Sequence, residues 1–191
     1  ARLRGRLRNS GWFRERGIRI PSMAEWLDLV ALGTVADLVP LDRNNRILVE
    51  QGLRRIRAGQ CRPGIRALLE CAGRNPQRVV ASDLGFAVAP RLNAAGRLED
   101  MGLGIECLLT GNLETAGSLA LELDQLNLAR REIEREMQSQ ALASLEQLKL
   151  GSEQGLPVAH CLYRPEWHQG VIGILASRIR EKYHRPVIAF A

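Results

Sequence analysis

The longest uninterrupted pattern runs from Leu113 to Lys149, and it constrains the fold more than any other stretch. Asn112 precedes it as a helix cap, since its side chain can accept from N–H groups that a first turn leaves open. Leu119, Leu123, Leu126, Ile133, Met137, Ala141, Leu145 and Leu148 then recur at threes and fours, with one gap at Arg130. That spacing predicts an amphipathic helix. At the usual helical rise it would span about 50 Å. A helix of that length bridges two lobes or forms a coiled-coil seam.

The segments on either side differ in kind. Upstream, residues 1–17 read as basic and helical with a break at Gly11, and Pro21-Ser22 starts a short helix through Met23 to Leu27. From Asn44 the pattern stays helical. Asn45 to Arg57 ends near Gly59, and Gly64 to Ala72 follows. Ser82-Asp83 can cap a third helix with Leu84, Val88 and Leu92 on one face. Leu103 to Leu109 is stopped by Gly111. Downstream, 151–155 reads as a linker, Leu156 to Tyr163 as a strand, Gly170 to Tyr183 as a helix and Pro186 to Phe190 as a second strand. Strand, helix and strand in succession predict the start of an α/β domain with a parallel sheet. The expected class is therefore α/β and helix-rich. Aromatics are only 4% against 46% hydrophobic residues, so the core must be aliphatic.

Charge narrows the partners. Arg outnumbers Lys 25 to 2. Residues 1–20 hold seven Arg against Glu15, and residues 43–97 hold eleven Arg against Glu50, Glu70 and Asp83. A guanidinium fork can hold phosphate oxygens in pairs, so two basic blocks suit a phosphate backbone, although a solvated basic face explains them as well. No run approaches the roughly 20 apolar residues of a membrane span. Arg residues interrupt any apolar run near the start, so no signal peptide is expected there. Cys61, Cys71, Cys107 and Cys161 show no paired spacing. Reduced structural thiols and a cytoplasmic location are expected, and a zinc site is not.

Three segments could carry chemistry. The first is Gly33 to Leu41, where Asp37 follows an apolar run. A lone Asp there is commonly a turn or cap residue. If buried it would need a cation or strong donors, and as a metal ligand it would offer one hard oxygen to Mn²⁺ or Mg²⁺. The second is Pro90 to Leu98, where Arg91, Asn93 and Arg97 stand among small residues that permit close approach. Arg91 and Arg97 could hold successive phosphates, or the segment could be a tight helix crossing with solvated Arg. The third is His168 to Arg178, with Gly170 and Gly173 at a helix start and Ser177 and Arg178 about two turns in. Free N–H groups there could meet an anion, and a capped helix on a sheet fits equally well. No catalytic residue stands out.

Taken in order, these segments resemble the RecJ group of single-strand-specific exonucleases, within the DHH phosphoesterase superfamily. Leu27 to Leu41, Asn44 to Gly59, Ser82 to Asp100 and Trp167 to Pro186 carry the resemblance, above all ALGTVADLVPL followed by PRLNAAGRL. The resemblance implies an internal portion of a longer protein. Residues 1–43 would end a DHH catalytic domain, 44–150 would form a helical connecting region with one long helix, and 151–191 would begin an α/β DHHA1 domain. It implies a metal-dependent exodeoxyribonuclease that hydrolyses DNA from the 5′ end with two ions, Mn²⁺ or Mg²⁺, and releases mononucleotides in recombination and repair. Asp37 would be the last metal-ligand Asp. Arg91, Asn93 and Arg97 would line the DNA path, with Arg91 foremost as a phosphate contact, and His168, Ser177 and Arg178 would face it from the second domain. Single-stranded DNA would be the substrate, with single-strand-binding and recombination proteins as further partners. The D-H-H motif and the earlier aspartates are absent from these 191 residues. The chain alone is therefore expected to be inactive. Two other readings stand beside this one: a DHH-family oligoribonuclease or pyrophosphatase, disfavoured by the long helical middle, and a non-catalytic nucleic-acid-binding module, favoured by the Arg blocks.

Overall fold

The structure, a computed structural model, describes residues 2–150 and 157–191, with side chains for all of these except 148–150. The expected linker at 151–155, Leu156 and the side chain of Leu148 lie outside the described residues. Helices α1 (Arg2–Asn9) and α2 (Trp12–Glu15) are separated at Gly11, whose φ of 77° suits glycine. Then come α3 (Leu27–Ala36), α4 (Arg43–Arg57), α5 (Pro63–Cys71), the single turn α6 (Ala81–Asp83), α7 (Ala89–Leu98), α8 (Gly102–Leu109) and α9 (Leu113–Leu150). Strand β1 (His160–Tyr163), helix α10 (Ile172–Tyr183) and strand β2 (Val187–Phe190) complete the described order. The helix-rich α/β class expected from the sequence is the one observed.

Local chemistry explains most boundaries. Asp42 caps α4 by accepting from Asn45 N–H at 2.8 Å, one helix start the sequence reading placed two residues late. Gly59 closes that helix at φ 70°. Pro63 opens α5, where its missing N–H costs nothing. Asn112 caps α9 as expected, accepting from the N–H groups of Glu114 and Thr115 at 2.8 and 3.0 Å. Ser82 is not a cap. Val80 occupies that position, and Asp83 reaches back to accept from Val80 N–H at 3.0 Å.

Between α6 and α7, Leu84–Val88 winds as a π-helix, with the Ala89 N–H reaching Leu84 C=O. Pro90 follows at the second position of α7 and supplies no N–H of its own. The guanidinium of Arg91 donates to Ala87 C=O at 2.6 Å in this widened region. What the sequence reads as one regular helix therefore carries a bulge of the sort that often marks functional positions.

Two aliphatic cores lie along α9. The first joins Leu32, Val49, Leu53, Ile56, Ile65 and Leu68, among others, to Ala120 and Leu123 of α9. The second joins Met137, Ala141 and Leu145 to Leu162, Trp167, Val171, Leu175 and Ile179. Ala31 and Leu32 of α3 share the first core with Val49, Leu53 and Ile56 of α4. The sheet is parallel, as expected, with His160 opposite Val187 and Tyr163 opposite Phe190. Its first strand is shorter than predicted.

Candidate nucleic-acid interface

Asp37 sits at the C-terminal end of α3, and it is exposed. Leu38 adopts φ 52°, and Val39 N–H closes the helix on Thr34 C=O at 3.1 Å, an arrangement that usually employs glycine at the left-handed position. Asp37 is the C-cap residue of α3, which is the turn or cap position the sequence allowed for it. Helical spacing turns Asp28, Ala31 and Leu32 inward, and Asp37 lies just past the helix end. Asp28 is the carboxylate taken out of water, at 1% exposure. Among the described residues no group of three His, Cys, Asp or Glu could hold a metal. One exposed carboxylate does not fit a two-ion site.

Arg91 departs furthest from expectation. Its Nη2 pairs with Asp124 Oδ1 of α9 at 2.8 Å, and the two side chains are 13% and 22% exposed. With Nη1 committed to Ala87, the fork is occupied within the first lobe. A phosphate would have to displace Asp124 to use it. In this structure Arg91 ties α7 to α9 through Asp124.

Asn93 and Arg97 behave differently. Helical spacing puts Pro90, Asn93 and Arg97 on one stripe of α7, while Leu92, Ala94 and Ala95 face inward. Asn93 and Arg97 are exposed. The stripe runs toward the second lobe. Arg97 Nη1 donates to Gly170 C=O at 3.1 Å, and a Cβ at Gly170 would overlap the Arg97 carbonyl oxygen. The glycine expected to free N–H groups for an anion instead lets two backbones touch. Its own N–H is taken by His168 Nδ1 at 3.1 Å. His168 thereby shapes the turn before α10 and is only half-exposed.

Ser177 and Arg178 are exposed on α10. Arg178 Nε lies 3.3 Å from Glu134 Oε1 of α9, and Glu134 also holds Arg130 at 2.6 Å. This polar cluster fills the gap at Arg130 that separates the two apolar halves of α9. It borders a cleft of about 470 Å³ between the π-helix, the middle of α9 and α10. Of the expected DNA-path residues, that cleft gathers Arg178. Its other walls include Phe86, Arg131 and Arg135, none of which the sequence reading singled out. Phe86 could have been found, since Leu84 and Val88 were already placed inward and Phe86 falls between them.

The comparisons agree with this architecture. No family model matches the chain. It is 64% identical over 189 residues to the single-stranded-DNA-specific exonuclease RecJ of Escherichia coli (strain K12), a match covering 99% of this chain and 33% of that protein. The RecJ of Bacillus subtilis (strain 168) is 38% identical over 165 residues, covering 86% of this chain and 20% of that protein. Among solved structures, RecJ from Thermus thermophilus in complex with Mn²⁺ has a TM-score of 0.77 at 38% identity, covering 94% of this chain and 26% of that one. An exonuclease RecJ bound to manganese also has a TM-score of 0.77, at 37% identity, covering 94% and 43%. Fold and sequence together define a helix-rich α/β chain that is similar to one part of RecJ. The chain spans about a third of the length of the Escherichia coli relative.

Proposed function

We propose that this chain contributes one wall of the strand-binding cleft of a RecJ-type exonuclease. The longer protein would act on single-stranded DNA from the 5′ end and release mononucleotides during recombination and repair in the cytoplasm. The observation that carries this reading is the match to RecJ over 99% of the chain, in sequences named as single-stranded-DNA-specific exonucleases. The exposed Asn93 and Arg97 of α7, together with Arg178, supply the polar and basic surface such a path needs. Ser177 stands beside Arg178 on the same exposed turn. Asn93, Arg97, Ser177 and Arg178 are proposed as DNA contacts, with His168 shaping the turn behind them.

Mn²⁺ or Mg²⁺ is proposed as the cofactor of the longer protein, in which Asp37 would be one ligand among several. No step of hydrolysis is assigned to the residues of this chain, because Asp37 alone cannot hold the ions. Single-strand-binding and recombination proteins are proposed as partners of the whole protein. No described helix is long and apolar enough to cross a membrane.

A longer protein carrying this chain should degrade single-stranded DNA with a free 5′ end and spare DNA blocked there. EDTA should abolish the reaction and Mn²⁺ restore it. Faster turnover of short RNA or pyrophosphate would favour the oligoribonuclease or pyrophosphatase reading. Tight DNA binding with no turnover under either ion would favour the non-catalytic module. The 191-residue chain alone should show no nuclease activity, and metal-dependent degradation lost in Asp37→Ala would overturn that expectation.

A further inference from the structure

The cleft between the lobes contains a feature that its basic surface does not explain. Phe86 is 79% exposed, although a phenylalanine on a helix gains most by burial. It projects from the π-helical turn, where the widened backbone offsets it from the inward residues Leu84, Ala87 and Val88. The turn is anchored from behind, since a Cβ at Gly85 would lie 3.1 Å from Val35 Cγ1 of α3. Pro90, one turn on, and Ile174 of α10 share the cleft with the ring.

The remaining walls are cationic. Arg130, Arg131, Arg135 and Arg178 line the cleft against the single carboxylate of Glu134. Arg130 and Arg178 are paired with Glu134, and Arg135 pairs with Glu132 at 2.8 Å on an exposed face. Arg131 is exposed and makes no ion pair among the described residues. An apolar partner segment would meet a ring of charge here and leave guanidinium groups desolvated. A phosphate-linked chain with flat aromatic groups satisfies both components, since every base offers a π-face and every linkage an anion. Only an unpaired strand presents a base face to such a ring.

We propose that Phe86 is a stacking platform for one base of a single DNA strand, with Arg131 and Arg178 taking the phosphates beside it. The proposal rests on the single-strand reading above and adds a particular subsite to it. The platform is sequence-tolerant, because stacking does not read hydrogen-bonding edges. It places a base between the lobes, next to the Asn93-Arg97 stripe.

The test uses this chain and two labelled strands of equal length, oligo-dT and an abasic strand with the same phosphates, followed by fluorescence anisotropy. Phe86→Ala should weaken oligo-dT binding roughly tenfold and leave abasic binding unchanged. Phe86→Trp should restore it. Arg131→Ala should weaken both strands and shallow the salt slope by about 0.7. Because Phe86 is exposed, its replacement leaves the core intact, which circular dichroism would confirm. Equal oligo-dT affinity for wild type and Phe86→Ala would overturn the platform alone and point to a protein contact at that ring. Failure of the wild-type chain to bind either strand would overturn both the platform and the assignment of this chain to the DNA path.

Discussion

Asp28 is a carboxylate almost wholly removed from water, and its surroundings show how that is tolerated. It accepts from Leu29 N–H at 2.8 Å and Arg62 N–H at 2.9 Å, and the Arg62 guanidinium completes the pair. That guanidinium also lies 4.5 Å from the centre of the Trp26 ring. Removing one partner strands a buried charge, which costs more than the intact pair gains. Arg62→Ala should therefore destabilise the chain by about 3 kcal/mol, seen as a lower urea midpoint with an unchanged slope. An unchanged midpoint would mean that water replaces the guanidinium. The sequence identified Asp37 from its apolar neighbours and passed over Asp28 in the same run. Asp28 acquires its partner from 34 residues away, and no local pattern reports that.

The cysteines follow burial in a similar way. Desolvation pushes the Cys107 thiol up to about 11, while Cys161 is exposed. Alkylating agents attack the thiolate, so a raised value leaves less of the reactive form. Under mildly alkaline conditions, iodoacetamide should modify Cys161 first and Cys107 last, as read by peptide mass. Early modification of Cys107 in the folded chain would contradict its burial.

At the scale of elements, helices were legible wherever chemistry is local. Asn112 and Gly59 fix their ends through their own side chain or backbone freedom. The aliphatic periodicity located α4, α5, α8 and α9 to within a residue or two. The π-helix was not legible, because its sequence keeps a regular helical spacing and only the backbone departs from it. The glycine contacts between helices were hidden for a related reason. Gly64 is not a turn residue. A Cβ there would overlap the Cys107 carbonyl oxygen, where α5 meets α8. Gly64→Ala places a methyl group against rigid backbone and should cost about 1–3 kcal/mol in thermal or urea unfolding. Gly173→Ala is the control, since nothing lies within 4 Å of that position and the change should be nearly neutral. An equal gain at both would show that helix propensity and not packing governs them, because alanine is the better helix former.

At the scale of the whole molecule, α9 is shared by two cores that hardly share residues. Leu123 is fully buried in the first core and Leu145 is 1% exposed in the second. Between them the helix turns polar, with Asn127 buried, Arg130 bound to Glu134, and Glu134 reaching Arg178. Packing strain and cavities act through contacts, so a defect in one core has few apolar routes to the other. Leu145→Ala should cost about 2–5 kcal/mol through lost transfer energy and the cavity left behind. If the cores are separable, that loss falls on β1, α10, β2 and the end of α9. Amide exchange should accelerate there while α4 and α5 keep their protection. Leu123→Ala should reverse the pattern. Exchange that rises equally in α4 and α10 after Leu145→Ala would show one cooperative unit, with the polar middle of α9 transmitting what the apolar contacts do not. The regional outcome would mean that either core can open while the other stays folded.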